Sequence, residues 1–134
     1  MTAATRKPPA LTLKDAFETE FARRDAERAA REEAERAQQA ADLASAQALH
    51  AAVSADGDFL AVRGLTADVR RYTVSLDHAL FRIAAYFEAG RASVTLSDKR
   101  TASPGSTAPR KQEIVESVED ALKVMANFLA DETR

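Results

Sequence analysis

The sequence predicts an α+β protein: a long N-terminal helix, a small antiparallel sheet and a C-terminal helix that covers it. Three observations predict this. Residues 12–54 contain neither proline nor glycine. Apolar and polar residues alternate with period two between 71 and 97, the pattern of half-buried strands. Near the C-terminus the apolar spacing turns to the 3–4 residue stripe of an amphipathic helix.

In chain order, residues 1–10 read as a disordered tail. They are small and polar, with Arg6 and Lys7 followed by Pro8-Pro9 rather than an apolar stretch, unlike a secretory signal. A helix is expected over 11–55, starting at Thr12 as N-cap with Asp15 three residues on. Ala, Glu, Arg and Gln fill it, all good helix formers. Forty-odd residues at 1.5 Å each make a rod of about 60–65 Å. Glu27 with Arg31 and Glu32 with Arg36 are spaced for i,i+4 pairs, each contributing tenths of a kcal/mol.

This segment carries a regular coiled-coil-like register. Ala30, Ala34, Ala37, Ala41, Ala44, Ala48, Ala51 and Ala55 follow a 4-3-4-3-4-3-4 spacing, a 3.5-residue period. Such a seam lets two helices approach closely; in an alanine-rich rod the same register also arises by chance. Leu13, Phe17 and Phe21 form a bulkier stripe, expected to dock on a partner helix or on a globular part.

Residues 56–134 read as a small α+β module. Asp56-Gly57-Asp58 is a break, with Gly57 a natural helix stop. Tyr72, Val74 and Leu76, then Phe81, Ile83, Ala85 and Phe87, then Val94 and Leu96 alternate with polar or small neighbours. They define a three-stranded antiparallel meander turning at Asp77-His78 and Ala89-Gly90. A fourth, shorter strand fits Phe59–Val62. The competing reading is all-α, a helical hairpin or bundle, because Val69, Tyr72, Leu76, Leu80, Ile83 and Phe87 also share one helical face. The strand-like run Ala92–Asp98 favours the sheet, since it needs neighbours. Residues 99–109 form a loop containing Thr-Ala-Ser-Pro-Gly-Ser-Thr-Ala-Pro. The last helix is expected over Arg110–Asp131. Its stripe is Val115, Val118, Leu122, Met125 and Leu129, with Ile114, Ala121 and Phe128 beside it.

Composition bounds the function. The net charge is −2 with 30% charged residues and no cysteine, which excludes disulfides and thiol chemistry. No apolar run approaches the roughly 20 residues that span a bilayer, so a cytoplasmic protein is expected. The excess of Arg over Lys and the abundance of Ala match GC-rich bacterial usage. Aromatics are 6% of residues and Trp is absent; a small core of this kind is often completed by oligomerisation.

No catalytic or metal motif is present. His50 and His78 lack a histidine partner at helical spacing. Asp56-Gly57-Asp58 lacks the further carboxylates of a calcium loop, and there is neither a Gly-x-Ser-x-Gly elbow nor a phosphate-cradling glycine loop. No cofactor and no enzymatic activity are expected. Charge, however, is segregated. Residues 59–111 hold nine basic against four acidic side chains, a local balance of +5, and residues 112–134 hold two against six, a balance of −4. The polar sheet face would carry Arg71, Thr73, Ser75, Arg82, Tyr86, Ser93, Thr95 and Ser97, although one wet polar face is ordinary for antiparallel sheets. The α-β-β-β-α order resembles that of double-stranded-RNA-binding domains in topology alone: Glu113, Glu116 and Glu119 follow Arg110-Lys111 and would meet phosphates badly.

The expected protein is therefore a non-catalytic interaction protein, an adaptor, scaffold or regulator. It would form a homodimer or homo-oligomer, or bind a protein partner, through Leu13, Phe17, Phe21, Ala30, Ala34, Ala37, Ala41, Ala44 and Ala48. A basic face of Arg71, Arg82, Tyr86, Arg100, Arg110 and Lys111 would meet another macromolecule. Nucleic acid is the alternative partner of that face, with affinity falling steeply with salt.

Overall fold

A computed structural model describes residues 10–99 and 110–133. The expected tail (1–10), all but Ala10, most of the loop (100–109) and Arg100 lie outside them. The elements are α1 (Leu13–Ser54), α2 (Gly57–Val62), β1 (Thr66–Arg70), β2 (Thr73–Asp77), β3 (Phe81–Glu88), β4 (Arg91–Asp98), β5 (Lys111–Val115) and α3 (Val118–Glu132). The chain divides into two units, Met1–Arg36 and Ala37–Arg134.

In the first unit α1 starts where the sequence places it. The Asp15 backbone N–H donates to Thr12 Oγ1 at 3.0 Å, satisfying one of the orphan donors of a helix start. The ion pairs are not the expected ones. Arg23 bridges Glu20 and Glu27 (2.7 Å to Glu27), Arg24 also meets Glu20 (2.9 Å), and Arg28 meets Asp25 (2.7 Å). Arg36 meets Glu33 at 3.2 Å. Each expected pair thus has one member engaged elsewhere: Glu27 with Arg23 on its N-terminal side, and Arg36 with Glu33. All are exposed, where a pair contributes about 0–1 kcal/mol.

The second unit is a five-stranded antiparallel meander in the order β1-β2-β3-β4-β5, with helices on one face. It is not all-α. Val74 and Leu76, then Phe81, Ile83, Ala85 and Phe87, then Ala92, Val94 and Leu96 point inward. Ala46, Leu49 and Val53 of α1 and Ala121, Val124, Met125, Phe128 and Leu129 of α3 complete the core. The opposite face carries Thr73, Ser75, Arg82, Tyr86, Ser93, Thr95 and Ser97, as the alternation predicts.

Several expectations need correction. Phe59–Val62 is helix α2, not a strand: its Leu60 turns inward to the core, and the Leu60 N–H donates to Asp56 O at 3.0 Å. Gly57 opens that helix instead of stopping α1, which ends at Ser54. The fourth strand is β1, which pairs Val69 with Val74. Residues 111–115 form a fifth strand rather than the start of the last helix, because β4 would otherwise leave one side of its ladder unpaired. The last helix starts later, at Val118, where Ser117 Oγ accepts the Asp120 N–H at 3.0 Å. The five-stranded order also departs from the α-β-β-β-α topology noted above.

The β3–β4 turn, Ala89-Gly90, has both residues at positive φ (54° and 79°), the type I′ geometry of two-residue hairpins. Its outward N–H groups are held by α1. Asp42, buried at 5% exposure, accepts Ala89 N at 2.9 Å and Gly90 N at 3.0 Å. Gln38 Nε2 donates to the same carboxylate at 3.0 Å.

Candidate functional site

Two helix surfaces and one sheet surface hold the expected interaction residues. In the second unit α1 presents two distinct stripes. Asp42, Ala46, Leu49 and Val53 are buried in the module. Ala37, Ala41, Ala44, Ala48, Ala51 and Ala55 are all exposed. At 100° per residue the two stripes lie roughly 140° apart around the helix, so docking onto the sheet leaves the alanine register uncovered. In the first unit Ala30 and Ala34 are likewise exposed, and Leu13, Phe17 and Phe21 are 86%, 60% and 56% exposed. The Phe17 and Phe21 rings lie 5.5 Å apart. Their stripe sits about 120° from Ala30 and Ala34, on a different face.

The basic residues do not form one patch. Arg82 and Tyr86 lie on the open sheet face. Arg82 donates to Ser75 Oγ at 3.1 Å and approaches Asp77 at 3.5 Å. Tyr86 donates to Glu88 at 3.4 Å; the Glu88 charge, partial burial and this hydrogen bond raise the phenol's pKa. Arg71 occupies the β1–β2 turn with φ 52°. Arg110 and Lys111 turn to the end of α3 instead, pairing with Glu132 at 2.7 Å and Asp131 at 2.6 Å. Lys111 also lies over the Phe128 ring, on the covered side of the sheet. Lys99 meets Asp77 at 3.0 Å. Among the described residues, Arg82 and Lys99 thus share the Asp77 carboxylate, and Arg110 and Lys111 each meet one from α3.

The histidines serve the fold: His78 stacks on Phe81 at 4.5 Å and its Nδ1 accepts the Leu80 N–H, while His50 Nε2 lies 3.3 Å from Ser54 Oγ. Among the described residues no three His, Cys, Asp or Glu side chains converge as a metal site, and no helix is long and apolar enough to cross a membrane.

Sequence reasoning missed two features. Ile114 is 59% exposed on the open face beside Ser93; reading 110–115 as helix hid it. The other is an apolar trough between α2 and α3, formed by two adjoining clefts of about 230 Å³ each that share Phe59, Ala126 and Leu129. A strand at Phe59–Val62 concealed it; the Ser117-x-x-Asp120 capping signal could have corrected the start of α3, which forms one wall.

No protein-family model, curated protein or solved structure matches this chain. The functional reading therefore rests on its own surfaces.

Proposed function

We propose that the chain is a non-catalytic interaction protein, an adaptor, scaffold or regulator, that self-associates through α1 and offers its C-terminal module to a protein partner. The observation that carries this is the double use of α1: one stripe is spent on the module's core while the 3.5-residue alanine register stays exposed. A helix needing only to cover the sheet has no use for a second regular stripe. Alanine seams allow close backbone approach, and three large apolar side chains on an exposed helix call for burial. The local neutralisation of Arg82, Lys99, Arg110 and Lys111 supports a protein partner over nucleic acid, whose binding scales with the number of phosphates neutralised. Light scattering of the full chain across a concentration series is the test. A constant dimer or higher oligomer, dissociated by Ala41→Glu with Ala48→Glu, is the expected result. A monomer at every concentration would refute self-association.

A further inference from the structure

We infer from β1 that the module pairs edge to edge with a second copy of this chain, the two β1 strands running antiparallel about a two-fold axis through Val69. The contact uses no residue of the alanine register, so it stands or falls apart from the seam proposed above.

β1 ends the sheet, with β2 on one side and, among the described residues, no strand on the other. The ladder fixes which of its backbone groups are spare. The Phe87 N–H donates to Tyr72 O at 2.9 Å, and hydrogen bonding alternates along an antiparallel strand. With the observed registers, Val74 and Leu76 then bond towards β3, while Thr73, Ser75 and Asp77 bond towards Arg70, Asp68 and Thr66. The N–H and C=O groups of Ala67 and Val69 therefore point out of the sheet. Such a row is a template for another strand.

The side chains select which strand. Ala67 and Val69 pack against the core, leaving Thr66, Asp68 and Arg70 on the open face. Arg70 lies 3.6 Å from Asp68, and their side chains are 88% and 53% exposed, so each has room for a second partner. The charges are symmetric about Val69, with the acid one residue before it and the base one after. A two-fold axis through Val69 sets each Val69 N–H on the partner's Val69 carbonyl and places Asp68 opposite the partner's Arg70, twice. The four charges then alternate in sign on the open face, while the two valines meet on the covered face and extend its apolar layer. Moving the axis to Asp68 would put two carboxylates directly opposite at the closest spacing of the ladder, which is destabilising. Moving it to Ala67 would leave Asp68 opposite Thr66. The edge thus accepts a strand with an acid and a base flanking an apolar residue, and β1 is itself such a strand. The β5 edge offers no equivalent, because its Lys111 is held by Asp131 at 2.6 Å. Main-chain hydrogen bonds rather than buried area hold strands added in this way, so the contact is weak and reversible.

The absence of cysteine gives a direct test in the full chain. Val69→Cys places two sulfurs across a hydrogen-bonded pair with about 5.5 Å between Cα atoms, within disulfide reach. The chain also carries Ala41→Glu with Ala48→Glu, which block the seam. Mild oxidation should then give a covalent dimer, whereas Thr66→Cys in the same chain should not bridge, since the axis sets the two Thr66 positions far apart. Adding Asp68→Arg or Arg70→Asp should slow bridging by Val69→Cys at least about tenfold. Mixing those two variants should restore it as a heterodimer, because unlike charges again face each other, and the combined swap should bridge like its parent. Circular dichroism should be unchanged throughout. A Val69→Cys chain that stays monomeric would overturn the inference, as would bridging that ignores the charge variants or occurs equally at Thr66→Cys. The seam is judged separately by the mass of the wild type, so either contact can fail alone.

Discussion

Along α1, residues 13–36 keep nearly every side chain exposed, with only Ala16 and Glu20 half-buried, whereas residues 37–54 bury Asp42, Ala46, Leu49 and Val53. The first stretch is held by a threonine cap, helix-forming composition and ion pairs within one turn. The second is held by packing and by a carboxylate gripping a turn. The ion pairs contribute tenths of a kcal/mol each and the cap about 1 kcal/mol, while a buried leucine contributes several. The same helix therefore has a half whose sequence can change freely at the level of stability and a half whose sequence cannot.

The largest test of this contrast is Leu49→Ala. It empties a fully buried position and should cost about 3 kcal/mol in urea denaturation. Asp42→Ala comes next, at about 2 kcal/mol, because it strands Ala89 N, Gly90 N and the Gln38 amide. Ser117→Ala, which removes the cap of α3, should cost about 1 kcal/mol by the same measurement. The smallest effect is acid titration in the exposed half. Hydrogen bonds from Arg23 and then Arg24 hold the Glu20 carboxyl down to about 2, from an ordinary 4.5. A depressed carboxyl stabilises the folded helix above the unfolded value and loses that contribution as pH falls from about 4.5 towards 2. Carbon-detected NMR should show this late midpoint, and Arg23→Gln with Arg24→Gln should return it towards 4.5.

Period-two alternation was enough to place β2, β3 and β4 and to sort their inward and outward residues, because each strand has one wet face. It failed at β5, where Lys-Gln-Glu-Ile-Val has no apolar alternation: Lys111 and Glu113 occupy the core side of an edge strand, as their partners Leu96 and Val94 show. Nothing local marks such a strand; it forms because β4 needs a neighbour. The interaction residues were legible as a set but not as a surface. Arg110 and Lys111 looked like part of a basic face, yet the late start of α3 carries Asp131 and Glu132 to meet them. The trough was invisible because one wall, α2, reads as a strand in the sequence and the other, α3, starts later than its stripe suggests.

Asp42 has one further consequence. Apolar contacts such as those of Ala46, Leu49 and Val53 discriminate weakly between positions one helical turn, about 5.4 Å, apart. A carboxylate seated on two adjacent N–H groups does not, since a shift of that size would leave the charge buried without donors. Asp42 therefore works as an index pin, stopping the helix from sliding along the sheet. Because the alanines from Ala37 to Ala55 lie on the same pinned stretch, a second molecule that pairs with them meets the module at one fixed longitudinal offset.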